Sequence, residues 1–288
     1  MQDGHHFAPG GARDWTEDLP LLARRGCEIG RVLCTCESGY HISWGARRAG
    51  GIIVGLEIDA RKIGEILGPL LHNGTRILIA GAADTGSTCV VGRAAGGRLP
   101  EITVLDRCAA PLELIEQFAA ERSLPVHTLH TDLLELGAAN RWDVALVHYT
   151  LSFIAPGQRG EALRRLARAL VPGGTLVCTT KSGRPPAADP DVLNSAWLRE
   201  VRRKLKAARL ELPLSDTELD DLLQKEAVQR TARRQTVPVL ATLKQEFSEA
   251  GLSLTGEYAS PRMWRWPYDT AGHADVEGTV VLTAFKAR

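Results

Sequence analysis

The chain lacks long apolar runs, lacks a net charge of either sign, and has no paired cysteine motif. Its longest apolar stretches fall far short of the ~20 residues that span a bilayer. Its first residues, Met-Gln-Asp-Gly-His-His-Phe, hold no apolar core of a secretion signal. These absences predict a cytoplasmic protein with no membrane partner. A formal net charge of +1, from 35 Lys and Arg against 34 Asp and Glu, provides no global field for gripping a phosphate polymer. Nucleic acid is therefore not an expected partner. Six cysteines (Cys27, Cys34, Cys36, Cys89, Cys108, Cys178) are scattered through an enzyme-sized chain and read as reduced thiols. Cys27, Cys34 and Cys36 have neither a Cys-x-x-Cys pair nor a histidine at metal-ligand spacing, so no metal is expected.

What is present is a chain of 288 residues, 44% hydrophobic and 24% charged, which describes a soluble globular protein. That length suits one large domain, or one domain with a substantial insertion, and the second reading is favoured. Residues 1–14 carry Gly, His and Pro without periodicity and read as a tail. Residues 15–74 read as a helical segment, because Leu19, Leu21 and Leu22, then Ile58, Ile63, Ile66, Leu67, Leu70 and Leu71, recur near helical spacing. From 75 to 183 apolar strands alternate with amphipathic helices: strands at 77–80, 101–105, 126–130, 143–147 and 175–179, helices at 111–122 and 159–170. Such alternation means a parallel sheet covered on both faces. Pro172-Gly173-Gly174 ends the helix after Leu170 and turns the chain into the fifth strand. Residues 184–236 break the rhythm, with a Pro-rich linker and two or three charged helices. Residues 237–288 resume with a helix over 239–250 and strands at 252–258 and 276–286, which can pair antiparallel.

The most informative stretch is Thr75 to Gly86, Thr-Arg-Ile-Leu-Ile-Ala-Gly-Ala-Ala-Asp-Thr-Gly, followed by the run Ile102-Thr-Val-Leu and Asp106. A β-branched run ending in small residues places a tight turn at a strand's C-terminal edge. An acid closing the next strand, 20 positions after Gly86, can accept two ribose hydroxyls.

These residues resemble the class I S-adenosylmethionine-dependent methyltransferases. The resemblance covers 75–182 well and 237–288 more loosely. Ile77 to Gly86 looks like the family's glycine motif, Asp106 like its ribose-binding acid, Thr131-Asp132-Leu133 like the adenine-flanking turn, Asp143 to Thr150 like its fourth motif, and Leu170-Val-Pro-Gly-Gly-Thr-Leu like the turn into strand five. The resemblance implies an α/β, doubly wound, seven-stranded, mostly parallel sheet of Rossmann-like type. An N-terminal helical segment precedes it, and a helical insertion lies before the last two strands. It also implies S-adenosylmethionine as cofactor and transfer of its methyl group to a small molecule. Two departures stand out. Ala82, Ala83 and Asp84 intrude on the glycine loop. Val147-His148-Tyr149-Thr150 lacks the Asn/Asp-Pro-Pro-Tyr pattern of enzymes that methylate amino groups of DNA.

The resemblance also places individual residues. Gly81, Ala82, Asp84 and Gly86 would hold the aminoacyl part of the cofactor, with Arg107, Leu133 and Tyr40 beside it. Asp106 reads as ribose-binding or as a helix cap, and Asp132 as an adenine contact or a cap. His148 and Tyr149, just past the fourth strand, are the catalytic candidates: His148 to take a proton, Tyr149 to orient the acceptor. The alternative makes them a packed ring and a cofactor-flanking histidine. His41 and Trp44, with Tyr40, suit a lid over a cation or an ordinary packing face. Trp264 and Trp266 would wall the acceptor pocket from the other side. The basic run Arg199, Arg202, Arg203, Lys204, Lys206 and Arg209 is a solvated face or an attractor for an acidic acceptor. Other readings remain open: a lyase or cyclase of the same fold that releases methylthioadenosine, a nicotinamide dehydrogenase, or a non-catalytic cofactor-binding partner. The oligomeric state is open, a homodimer included, as is whether the insertion covers its own site or a neighbour's.

Overall fold

Ile77, Leu78, Ile79 and Ala80 have no solvent exposure, and a strand buried on both faces must lie at the centre of a covered sheet. The computed structural model, which describes residues 14–53, 55–183, 189–259 and 278–287, puts them there as β1 (Arg76–Ala80). The other strands are β2 (Glu101–Asp106), β3 (Val126–His130), β4 (Trp142–His148), β5 (Leu170–Ser182), β6 (Leu252–Ala259) and β7 (Gly278–Lys286). They form one seven-stranded sheet of order β3-β2-β1-β4-β5-β7-β6. The first five run parallel, and β7 is antiparallel to both β5 and β6. The fold expected from the sequence is the one observed, with β3 at its expected bounds and the other strands at shifted ends, residues 276 and 277 of the expected last strand lying outside the described residues.

The period-two alternation of the strands sorts the core into two layers. Ile77 and Ile79, with Ile102, Val104, Val144 and Leu146, point to one face. There they meet α3 (Gly55–Leu67) through Ile63 and Leu67, α4 (Gly86–Ala95) through Val90 and Val91, and α5 (Ala109–Glu121) through Leu112 and Ile115. Leu78 and Ala80, with Ala145, Val147, Leu176 and Leu282, point to the other. That face is covered by α6 (Pro156–Ala169) through Leu163 and Leu166 and by α9 (Leu240–Glu249) through Leu243 and Phe247. Each such leucine or isoleucine contributes about 2–5 kcal/mol against truncation to alanine.

Before the sheet come α1 (Leu19–Leu33) and α2 (Tyr40–Ala49). Asp18 caps α1, its carboxylate accepting from Leu21 N at 3.1 Å, with Pro20 in the first turn where its missing N–H costs nothing. The two helices cross closely at Gly45, where a Cβ would lie 2.7 Å from Ala23 Cα. Between β5 and α9 lie α7 (Pro190–Ala208) and α8 (Asp216–Gln235). A reciprocal cap starts α8: Ser215 N donates to Glu218 Oε2 at 2.8 Å, and Glu218 N donates to Ser215 Oγ at 3.2 Å. Trp197 and Val201 of α7 pack on Leu223 and Ala227 of α8 and on Ile52 after α2. Two members of the basic run are paired along the surface: Arg202 with Asp220 across the two helices, and Arg203 with Glu200. Among the described residues no helix is long and apolar enough to cross a membrane.

Candidate functional site

Strands β2, β1 and β4 are neighbours, so the chain reverses its direction of winding between β1 and β4, and the crevice at their C-terminal ends is where an open α/β sheet binds ligands. A cavity of about 600 Å³ opens there, within the range of small-molecule sites. It brings together Gly81, Ala82, Asp84, Asp106, Arg107, Asp132, Leu133, His148 and Tyr149 with Tyr40, His41 and Trp44. Of the site residues expected from the sequence, Gly86 is a neighbour but not part of the lining. Trp264 and Trp266 lie outside the described residues.

Gly81 leaves β1 with φ +86°, a conformation that side chains resist, and a Cβ on it would fall 2.2 Å from Thr150 Oγ1. The Thr150 hydroxyl donates to Ala80 O at 2.7 Å, which locks the turn after β4 onto the end of β1. One turn over, Asp106 Oδ2 accepts from Ala82 N at 2.9 Å and Oδ1 from Cys108 N at 2.8 Å. Burial raises the Asp106 pKa, opposed by these two N–H donors. The carboxylate is thus aimed into the cavity from a backbone cradle. Asp132 also lines the cavity, but its Oδ1 accepts from Leu134 N at 2.9 Å, so it caps the short turn Leu133–Glu135. Of the two roles open to Asp132 in the sequence, capping is the one drawn in the structure.

Asp84, which replaces a small residue in the expected glycine loop, is the hinge of a buried charge network. Its Oδ2 accepts from Trp44 Nε1 and from Arg48 Nη1, both at 2.9 Å, and its Oδ1 from Gly86 N at 2.8 Å. Arg48 is buried and also pairs with Glu17 at 2.8 Å and Glu57 at 2.7 Å. Burial opposes the Arg48 charge, but Asp84 and the two glutamates outweigh it and raise its pKa. The side chain of Gly86 is absent for room: a Cβ would meet Leu56 and Arg48. Asp84 and Gly86 therefore join the loop to the N-terminal helices, a role the sequence reading did not assign them.

At the end of β4, His148 Nε2 is buried with no hydrogen bond and lies 3.7 Å from Asp59 Oδ2 of α3. Tyr149 takes φ +60° and sets its ring edge-on to His148, centroids 4.6 Å apart. Its hydroxyl is engaged at 3.2 Å with Asp59 Oδ2 and at 2.9 Å with Thr279 Oγ1 of β7. The Tyr149 hydroxyl thus braces α3 and β7, and the Asp59–His148 pair lies beside it. Asp59 was missed because it reads as one polar residue on an amphipathic helix.

The far wall comes from α2 and α8. Tyr40 stacks against Trp44 at 5.0 Å and meets Phe153 edge-on at 5.2 Å. The Arg47 guanidinium covers one face of Tyr40 at 5.2 Å and of Trp44 at 5.5 Å, and so competes for the ring faces a cation would use. Arg47 and Arg233 share the buried Glu226 at 3.3 and 2.5 Å, and Ser38 Oγ donates to the same carboxylate at 3.1 Å. Gln229 and Arg233 of α8 line the cavity, so the insertion reaches the site of its own chain. Glu226, Arg47 and Arg233 carry no sequence signal; they find one another only through the packing of α8 on α2.

The sequence spacing offered Cys34 and Cys36 no partner for a metal, whereas the fold sets them beside His41 and Cys108 with all four donor atoms within 4.8 Å of one another. His41 Nδ1 is 3.6 Å from Cys34 Sγ and 3.5 Å from Cys36 Sγ. Burial lowers the His41 pKa, but its hydrogen bonds with Cys108 and Cys34 outweigh this and push it up to about 9. His41 is therefore as much a member of this cluster as a wall of the cavity.

Comparison with known proteins bears on this arrangement. Residues 81–174 match the family model of a methyltransferase domain. A carboxy-S-adenosyl-L-methionine synthase of Pseudomonas putida is 30% identical over 139 residues, covering 46% of this chain and 56% of that protein. Its counterpart in Stutzerimonas stutzeri is 29% identical over 150 residues, covering 52% and 55%. The chain thus spans little more than half the length of these relatives. Among solved structures, geranyl diphosphate methyltransferase in complex with SAM aligns with a TM-score of 0.56 at 14% identity, over 84% of this chain and 90% of that one. The cyclase SpnF aligns at 0.51 and 17%, over 78% and 80%. At such identities the likeness is one of fold, while the match over 81–174 falls on the glycine loop, Asp106 and the end of β4. With the strand order and the site at its switch point, these findings give the chain a methyltransferase domain over residues 81–174 in a Rossmann-like methyltransferase fold, and they support the class I S-adenosylmethionine-dependent methyltransferase family.

Proposed function

We propose that this chain is an enzyme that binds S-adenosylmethionine along the C-terminal edges of β1 to β4 and passes its methyl group to a small molecule. The observation that carries the reading is one cavity joining the Gly81–Asp84 turn, the Asp106 carboxylate, the buried His148 imidazole and an aromatic wall from α2. The cofactor fits the residues present. Asp106 keeps its carboxylate oriented by two backbone donors, as a ribose hydroxyl pair requires. Leu133 and the Asp132-capped turn offer an apolar edge for a base. When bound, the cofactor supplies an electrophilic methyl on a sulfonium.

This chain's own residues then bind, orient and exclude water, which supplies most of the rate in methyl transfer. Tyr40, Trp44 and Phe153 close one side. Gln158, Gln229 and Arg233 give polar contacts for an acceptor. His148 Nε2 is the group placed to take a proton from an acceptor amine or hydroxyl, with Asp59 at 3.7 Å to balance the resulting charge. The wall formed by α8 suits an enclosed small molecule rather than a polymer, so neither nucleic acid nor a membrane is the proposed partner.

A second reading has its own observation: the relatives of 27–30% identity over 46% of the chain are carboxy-S-adenosyl-L-methionine synthases. On that reading the sulfonium itself is remodelled. Mass spectrometry of adenosine products decides between them. S-adenosylhomocysteine appearing only when a metabolite extract is added supports methyl transfer. A carboxylated sulfonium supports the second reading. Methylthioadenosine from the cofactor alone overturns both in favour of self-cleavage, and no cofactor binding by calorimetry removes the enzyme reading.

A further inference from the structure

Cys34, Cys36, His41 and Cys108 meet at the junction of three helix ends. Cys34 caps the C-terminus of α1, Cys36 lies in the loop that follows, His41 is the second residue of α2, and Cys108 is the N-cap of α5. His41 and Cys108 are buried, Cys34 and Cys36 half-buried. Three thiols and an imidazole Nδ1 with no carboxylate among them form a donor set that hard cations avoid and borderline-soft ions prefer.

The spacing is as selective as the chemistry. Zinc–sulfur bonds of about 2.3 Å and zinc–nitrogen bonds of about 2.05 Å at tetrahedral angles put S and N about 3.5 Å apart. The structure has His41 Nδ1 at 3.6 Å from Cys34 Sγ and 3.5 Å from Cys36 Sγ. Thiols that merely pack carry no reason to converge from two segments 67 residues apart onto one imidazole nitrogen. An iron–sulfur cluster ordinarily draws four thiolates and more room.

We propose that Cys34, Cys36, His41 and Cys108 bind a structural zinc ion that fastens the N-terminal helices to the cofactor edge of the sheet. Four protein ligands leave no open position, so the ion is structural rather than catalytic. Its effect reaches the site through short paths. Cys108 N–H holds Asp106 Oδ1 at 2.8 Å, and Cys36 and His41 line the cavity wall. Loading the ion therefore fixes α2, with Tyr40 and Trp44, over Asp106. The unloaded chain keeps its sheet but loosens that clasp.

The test uses the whole chain, purified under reducing conditions without chelator. Elemental analysis is expected to find about one zinc per chain, falling at least about tenfold in Cys108→Ser and in Cys36→Ser. The second variant changes a half-buried thiol and guards against a Cys108→Ser chain that fails to fold. Cobalt(II) added to the metal-free protein is expected to give the thiolate charge-transfer and intense visible bands of a tetrahedral sulfur-rich site, absent in both variants. Zinc content unchanged in the variants overturns the proposal, as does a reduced chain that takes up neither zinc nor cobalt. A Cys34–Cys36 disulfide in the freshly purified protein also overturns it. None of these readouts depends on whether the chain transfers a methyl group.

Discussion

The two halves of the cavity are built by different means. On the sheet side, position comes from backbone: a glycine at φ +86°, two N–H groups on Asp106, and a threonine hydroxyl on Ala80 O. On the helical side it comes from side-chain charge: Arg48 among Glu17, Glu57 and Asp84, and Glu226 between Arg47 and Arg233. Backbone geometry tolerates little change but asks for few specific partners. Buried ion pairs ask for every partner at once, since removing one leaves its fellows desolvated and unpaired. The difference means that the sheet half is held one position at a time, whereas the helical half stands or falls as a network.

The sharpest way to break the helical half is Arg48→Met. Three carboxylates would lose their common cation, and the loss of one partner from a buried charge network costs about 3–5 kcal/mol. Denaturant unfolding should show a large fall in midpoint; a change below about 1 kcal/mol would mean that water reaches the network and that the side chains do not organise this half. On the sheet side Gly81→Ala comes next. The left-handed backbone costs about 1–2 kcal/mol for an alanine, and the contact with Thr150 adds overpacking of similar size. The double variant Gly81→Ala with Thr150→Ser tests the cause. The Oγ1 contact stays while the methyl at 2.7 Å goes, so partial rescue of stability is expected, and no rescue at all would assign the loss to backbone strain together with the remaining Oγ1 contact.

Asp106→Ala separates binding from stability. Each charge-assisted hydrogen bond to a ribose hydroxyl is worth about 1.5–3 kcal/mol, so calorimetry should record at least about a tenfold loss of S-adenosylmethionine affinity. Burial already works against the Asp106 charge, but Ala82 N and Cys108 N lose their acceptor, so unfolding should register a loss of about 1–3 kcal/mol, and the affinities are compared where both chains are folded. Equal affinity in the variant would remove Asp106 from the cofactor site.

The same division explains what could be read from the sequence. β1, β2 and Asp106 announce themselves locally, because burial on both faces demands an apolar run and the turn after it demands a small residue. The order of motifs along 75–182 then implies the sheet. The helical half gives no such local sign. Cys108 sits 67 residues beyond His41, Glu226 lies 179 beyond Arg47, and only the docking of α8 and α5 on the N-terminal helices makes them neighbours. Asp132 was legible with its cap as one of the two roles its sequence offered, whereas the bracing of the Tyr149 hydroxyl on Asp59 and Thr279 was not, because a braced hydroxyl looks in sequence like any free polar group.

A control at the opposite edge of the sheet completes the comparison. Arg76 and Asp143 stand at the starts of β1 and β4, where Arg76 Nη2 donates to Asp143 Oδ1 at 2.8 Å and Arg76 N and Nε donate to Oδ2 at 2.9 and 3.1 Å. The Arg76 side-chain hydrogen bonds hold the Asp143 pKa below its ordinary value, against a smaller opposing effect of burial. A carboxylate whose pKa is lower in the folded chain than in the unfolded one stabilises above the ordinary value of about 3.9 and loses that contribution as the pH falls through the lowered one. Because both side chains are more than a third exposed, solvent screening limits the effect to about 1 kcal/mol or less. Asp143→Asn should therefore be slightly less stable at neutral pH, converge with the parent in acid, and bind cofactor equally well. A loss as large as that of Arg48→Met would mean that a half-exposed pair at a strand start organises the fold as strongly as the buried network, and the contrast between the two halves would reduce to a count of hydrogen bonds.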